Sequence, residues 1–314
     1  MGLTKFERAQ VKAIEFCANR VETTYYPLLA KRYKGLEKQK DLRYAPEGKR
    51  AFLDIIRKAD ASEAAAERPL LFYIHGGGWA SGLRRLRRFY CYHWADKGYI
   101  CANVGYDYAL DAKHPDHIKQ LFKAMEYVLD RAEELGIDAN RIVLGGESAG
   151  GHLAALMAAI ATHPELYELI GIDFKYKSRF TPAACLLLSG IYEPFRAAET
   201  GFPFIWVYTR AFLGYSRKEC EEADTAVLNR TCAPELYADS AFPPSFIIGS
   251  VKDKLLPESY SLRARLRAAG VPCELFVCKG INGMHAAALD TVHGKWGKEC
   301  FEKAAEFMQT VFNK

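Results

Sequence analysis

The sequence predicts an α/β fold in which a mainly parallel central sheet carries helices on both faces. Three observations lead there. Short continuous apolar runs that end in glycine, such as "PLLFYIHGGGW" and "AACLLLSG", have the pattern of strands buried on both sides. These runs alternate with helix-length segments, which implies right-handed crossovers between parallel strands. The chain has 314 residues, half of them hydrophobic and 26% charged, the balance of an ordinary globular protein with a sizeable core.

Taken in order, residues 4 to about 33 place Phe6, Val11, Ile14, Leu28 and Leu29 at helical spacing and predict one or two amphipathic helices. "FLDIIRKA" predicts a strand, and "PLLFYIHGGGW" a central strand with a loop at its C-terminal end. A helix near 83–97, the strand "YICANVGY", a helix near 116–135, the strand "RIVLGGE" and the helix "SAGGHLAALMAAIA" follow. "AACLLLSG", "SFIIGS" and "CELFVCKG" extend the sheet, and "WGKECFEKAAEFMQTVF" closes it with a helix. Between Ile191 and Pro244 the order breaks into an aromatic, proline-rich stretch far longer than an ordinary connection, which predicts an insertion. There is no internal repeat, and "SEAAAERP" and "RRLRR" are too brief to be domains.

Composition narrows the function. A net charge of +5, from 43 basic and 38 acidic residues, is too mild to imply nucleic acid. Nine cysteines form no C-x-x-C pair and no zinc spacing, and Cys185 sits in an apolar run as a small hydrophobe would. The N-terminus lacks the continuous apolar stretch of a secretory signal, and no run is long enough to span a membrane. A cytoplasmic location is expected. No H-E-x-x-H or comparable cluster points to a metal, and the expected chemistry needs no cofactor.

The chemistry is expected at "GGESAGGH". Gly146-Glu147-Ser148-Ala149-Gly150 fits G-x-S-x-G, and a strand before it and a helix after it supply the context that the pattern requires. A sharp strand-to-helix turn strains the serine and crowds the residues two away on each side, where glycines stand. The helix N-terminus aims N–H groups at the place where an oxyanion would form. "HGGGW", His75 to Trp79, ends a buried strand and can turn its own N–H groups to the same point.

Together "HGGGW" and "GGESAGG" resemble the hormone-sensitive-lipase group of α/β-hydrolases (bacterial esterase family IV), and the likeness runs from about residue 52, through "HP" at 114–115 and "GIDANRIVLGGESAGG". The resemblance implies an α/β-hydrolase fold with an eight-stranded sheet and a helical cap. Residues 1–45 and 191–244 would form the cap, and 46–190 with 245–314 the core. It also implies a triad in the order Ser, Asp, His. Asp253 follows "SFIIGS" and matches the group's D-x-L, whereas Asp239 precedes the strand. His285 lies after the next strand, although Ala286-Ala287 stands where the group has glycine and the loop from Gly280 is longer. His293, followed by glycine, is the alternative base. Gly77, Gly78 and Ala149 would form the oxyanion hole, His75 would hold the glycine loop in shape, and His152 would be packed. "ALDA" replaces the group's L-A-P-E, and Lys119 or Gln120 stands where an acid supports the glycine loop.

The expected activity is that of a serine carboxylesterase on short- to medium-chain acyl esters. A deacetylase or amidase of the same fold is the alternative, and a non-catalytic ligand-binding receptor a further one. Trp79, Phe204, Trp206 and Tyr208 are expected to bind substrate, with Phe202 and Phe212 beside them; the plainer reading makes such aromatics cap core. No feature marks the exposed apolar lid of an interfacial lipase, so chains beyond about eight carbons are expected to be poor substrates. In "GLRRLRRFY", Leu83, Leu86 and Tyr90 have helical spacing, which leaves Arg84, Arg85, Arg87 and Arg88 on a solvated face or at a pocket rim that attracts anionic esters. The expected partner is a small-molecule ester, and the chain is compatible with a homodimer.

Overall fold

Eight strands make a single sheet, and their composition sorts them from centre to edge. In chain order they are β1 (Leu36–Arg43), β2 (Phe52–Lys58), β3 (Arg68–Ile74), β4 (Ile100–Val104), β5 (Ile137–Glu147), β6 (Ala184–Leu188), β7 (Ser245–Ser250) and β8 (Cys273–Cys278). Across the sheet the order is β1-β2-β4-β3-β5-β6-β7-β8. β1 and β2 pair antiparallel, as do β2 and β4, and every pair from β4 to β8 is parallel. The apolar β4 and β6 are buried at every position, whereas the polar β1, "LEKQKDLR", takes an edge. This computed structural model describes residues 2–29, 33–59, 67–279 and 284–313. The expected lengthening of the loop from Gly280, and most of "SEAAAERP", lie outside the described residues.

Alternation along β3 shows how the sheet builds two cores. Leu70, Phe72 and Ile74 face one side, where α3 (Asp116–Leu129), the short α4 (Ala132–Leu135), α5 (Ala149–Thr162), α6 (Glu165–Ile170) and α11 (Leu256–Ala268) pack. Leu71 and Tyr73 face the other, covered by α2 (Arg88–Asp96) and α12 (Lys295–Phe312). α5 is buried from Ala149 to Ile160, which explains why its sequence is apolar all round.

The N-terminal helix α1 (Lys5–Tyr25) packs on the insertion through α8 (Ile205–Leu213), with Val11, Ala80, Ala109 and Ala211 between them. The rest of the insertion is short helices: α7 (Pro194–Ala197), α9 (Arg217–Glu222) and α10 (Thr225–Cys232), each started by a side-chain cap from Glu193, Ser216 or Asp224.

Three expectations need correction. Residues 1–45 are not all cap helices, because 36–43 form β1 and belong to the sheet. The arginine stretch is not a solvated face. Residues 84–87 form a 3₁₀ turn and α2 begins at Arg88, so the side chains fan inward: Arg84 and Arg88 meet the buried Asp54, and Arg87 meets Glu147 and Glu22. Arg85 alone of the four is exposed, which also removes the other three from any anion-attracting rim. Finally, the outer surface does expose large apolar side chains, Phe6, Phe16, Val21, Leu28, Phe204 and Trp206 among them.

Asp54 organises its corner of the sheet. Its carboxylate accepts from Arg88 Nε (2.8 Å), Asn103 Nδ2 (3.0 Å) and Asp41 N (2.9 Å) and pairs with Arg84. Burial pushes its pKa up, but Arg88 and Arg84 outweigh burial and hold it below the ordinary value. Asp54→Ala leaves two arginines without their buried partner and should cost about 3–5 kcal/mol in chemical denaturation. Because the folded-state pKa is depressed, the Asp54 contribution is present above the unfolded carboxyl's pKa and lost as pH falls through the lower, folded value. Acid-unfolding curves of wild type and variant should converge there.

Candidate active site

Ser148 stands where β5 ends and α5 begins, with φ 55° and ψ −122°. A serine held there is strained, and the surroundings fix it. Its N–H donates to Leu188 O (2.8 Å), and a Cβ on either Gly146 or Gly150 would strike the Ile74 carbonyl of β3. The elbow therefore packs backbone to backbone against its neighbours.

The glycine loop approaches from β3. His75 is buried; its Nδ1–H donates to Gly76 O (2.7 Å), its ring stacks on Tyr106, and Tyr106 Oη donates to His75 O (3.0 Å). Burial, aided by Arg87, lowers the His75 pKa to about 3, so the ring is a neutral brace. Gly77 has φ 121°, and its carbonyl is turned away to accept Ser81 N (2.9 Å) and Ser81 Oγ (2.8 Å). The N–H groups of Gly77, Gly78 and Ala149 donate to no protein acceptor among the described residues. Three backbone donors are thus left free on the glycine loop and at the start of α5.

Glu147, the variable residue of the serine motif, locks loop to elbow. One oxygen accepts from Gly76 N (2.7 Å) and Arg87 Nε (2.7 Å), and the other from Tyr73 Oη (2.7 Å). Arg87 continues to Glu22 of α1 through two bonds of 2.8 Å, and Glu22 also accepts from Leu83 N (3.1 Å). Residue typing of the motif does not reveal this. The available signal was an acid inside an otherwise apolar, glycine-rich strand end, with an excess of arginines upstream.

Asp253 and His285 come together as expected from their loops: Nδ1 lies 2.8 Å from Asp253 Oδ2, while Oδ1 accepts from Leu255 N (2.9 Å). Burial raises the Asp253 pKa, and the His285 hydrogen bond and charge, with Leu255 and Ser189, bring it below the usual carboxylate value. No hydrogen bond joins His285 to Ser148 among the described residues. His293 instead donates Nε2–H to Leu28 O (3.0 Å), and Asp239 pairs with His163 (3.1 Å), so neither competitor joins this group. Gln120 binds Asp107 through both amide atoms, Oε1 to the backbone N–H and Nε2 to the carboxylate.

The four aromatics separate. Tyr208 lies across Gly78, so closely that a Cβ there would meet its ring. Trp79 is fully buried beneath the loop, stacked on Phe212 and donating to His152 Nδ1 (3.1 Å), whose Nε2–H donates to Cys232 O (2.7 Å). Trp79 is thus core and offers substrate no surface. Trp206 points outward, because it stands two residues from Tyr208, which takes the inner side of α8, and Phe204, the residue before the helix, is exposed as well. Phe202 stands edge-on to His285 with ring centres 4.8 Å apart.

The BD-FAE family model matches residues 53–266. Esterase LipQ of Mycobacterium tuberculosis is 29% identical over 233 residues, covering 73% of this chain and 53% of LipQ. Carboxylesterase NlhH of the same species is 31% identical over 212 residues, covering 66% of this chain and 63% of NlhH. The chain thus spans less than two thirds of either relative. Among solved structures, esterase B from Lactobacillus rhamnosis superposes with a TM-score of 0.82 at 22% identity, over 98% of this chain and 95% of that one. The same esterase inhibited by a C4-C4 tributyrin phosphonate gives 0.81 at 22% identity, over 98% and 96%. Sheet order, serine turn and family match converge, and the chain belongs to the BD-FAE family, among the α/β-hydrolases of the hormone-sensitive-lipase group.

Proposed function

We propose that the protein is a serine carboxylesterase acting on short- to medium-chain acyl esters in a reducing, cytoplasmic setting. The observation that carries this reading is Ser148, held at a strained turn beside a glycine loop with free N–H groups, with a carboxylate-bound histidine on a further loop. Esterase relatives and an esterase of the same fold that a tributyrin phosphonate inhibits support it. The nine cysteines are free thiols, the state that a reducing compartment maintains.

In the proposed reaction Ser148 Oγ attacks the ester carbonyl carbon while its proton passes to His285 Nε2. Asp253 keeps the other nitrogen protonated and stabilises the imidazolium. Gly77, Gly78 and Ala149 donate to the oxyanion, and the positive end of α5 adds to them. Collapse breaks the bond to the alcohol oxygen, which takes the proton from His285. Water then repeats the sequence on the acyl-serine and releases the acid. Proton transfer requires the Ser148–His285 gap to close, as catalytic hydrogen bonds do when substrate binds.

Short chains suit the enclosure. Ser148 is only 8% exposed, with Tyr208 over the oxyanion loop and Phe202 beside His285. The large groove elsewhere on the cap has neither Ser148 nor His285 in its lining. Rates on p-nitrophenyl esters should fall for acyl chains longer than about eight carbons; equal rates on long chains, or a preference for amide substrates, would reject this specificity.

Ser148→Ala should fold normally and lose up to about a millionfold in kcat, with His285→Ala comparably impaired and His293→Ala close to wild type. A phosphonate probe that labels another serine, or an inactive His293→Ala, would overturn the assignment. Glu147→Ala frees the glycine loop from the elbow and should lower kcat about a hundredfold, with KM changing far less. Steady-state kinetics on a soluble acetate ester separate the two parameters.

A further inference from the structure

The outer face of α1 carries chemistry that ester hydrolysis does not use. The helix sorts its charges by side. Glu7, Glu15 and Glu22 all turn inward, to Arg210 (2.8 Å), Arg50 (3.4 Å) and Arg87 (2.8 Å). Lys5, Arg8, Lys12 and Arg20 are exposed, and none has a carboxylate partner among the described residues. Between these cations lie Phe6, 72% exposed, and Phe16, 64% exposed, about 15 Å apart along the helix. Ala9 and Ala13 continue the apolar stripe between the two rings.

Both flanks extend this surface. Arg85, the exposed member of its arginine run, shares a shallow groove with Phe16 and Arg20. On the other side Phe6 and Trp206 line a groove of about 1620 Å³. Carboxylates there are engaged: Glu7 by Arg210, Asp111 by Arg50, Glu221 by Arg217, and Asp116 by the Lys113 N–H. Phe204 is 63% exposed although its φ of 59° disfavours a bulky residue. A basic helix face that also exposes aromatic rings has the chemistry of the membrane interface, where rings enter the headgroup boundary and cations meet lipid phosphates.

We propose that this face of α1, with Arg85 and Trp206 at its flanks, docks on an anionic phospholipid bilayer. The inference goes beyond the hydrolytic reading and does not depend on it. A second copy of the chain fits the surface less well, because a symmetric pairing would set the four α1 cations of each copy against those of the other.

The test is co-sedimentation of the full chain with vesicles of phosphatidylcholine alone or with phosphatidylglycerol added. Binding is expected to the mixed vesicles at low salt, with little to phosphatidylcholine alone and release at high salt. Lys12→Gln with Arg20→Gln should weaken binding about 25-fold, roughly fivefold per charge, and Phe6→Ser with Phe16→Ser should remove most of it. Far-ultraviolet circular dichroism reports that each double variant is folded, and hydrolysis of a soluble ester should persist in both. If the phenylalanine variant fails to fold, the charge variant carries the test. Absence of binding to the anionic vesicles, or binding unaffected by the substitutions, overturns the proposal. So does concentration-dependent dimerisation that the Phe6 and Phe16 substitutions abolish, since a second copy would then cover this face.

Discussion

Glu147 brings a carboxylate into the C-terminal edge of the sheet, almost fully buried, and the arrangement around Ser148 hangs on how it is satisfied. Its three donors come from the glycine loop, from the following arginine run and from β3. Buried charge is tolerated when every lone pair is used, and removing a partner from such a site typically costs about 3–5 kcal/mol. Because Gly76 is one of those partners, Glu147 ties the spacing between the glycine loop and the serine turn to an ion pair. Through Arg87 the same ion pair reaches Glu22, so the C-terminal end of the N-terminal helix is tied to the serine turn.

The same device recurs. Asp54 gathers Arg84 and Arg88 beneath the antiparallel edge, and Glu258 accepts from Tyr192 N, Glu193 N and Arg196 where the insertion leaves β6. In each case a buried acid orients arginines and backbone N–H groups. A chain with net charge +5 thus spends several of its arginines inside, and its surface electrostatics cannot be read from the total.

Legibility in the sequence followed burial. β3, β4, β6 and β7 are apolar on both faces and announced themselves as continuous runs, and the serine turn was marked by glycines that only close backbone contact requires. β1 was hidden because an edge strand with "LEKQKDLR" needs no apolar pattern. α11 was hidden because "LPESYSLRARLRA" buries only a narrow strip, Leu262 and Leu266 with Glu258 and Ser259. At the site, Ser148, Asp253 and His285 had motif or positional signals. The side chains that gather around Glu147 had none, since Tyr73 and Arg87, and Glu22 behind Arg87, converge only in three dimensions. The arginine run misled because helical spacing was applied to residues that form a 3₁₀ turn, where three residues per turn send neighbouring side chains to different faces.

Three of the four tryptophans sort into two optical environments, and Trp296, half-buried on α12, lies between them. Trp79 and Trp94 are fully buried, the first beneath the glycine loop and the second under α12, while Trp206 is 45% exposed on the outer side of α8. Blue-edge emission therefore belongs mainly to the interior and red-edge emission to the cap surface. With Trp94 and Trp296 replaced, the molecule would carry a pair of spectroscopic labels, Trp79 reporting the seating of the glycine loop on Phe212 and Trp206 the polarity of whatever medium meets α8.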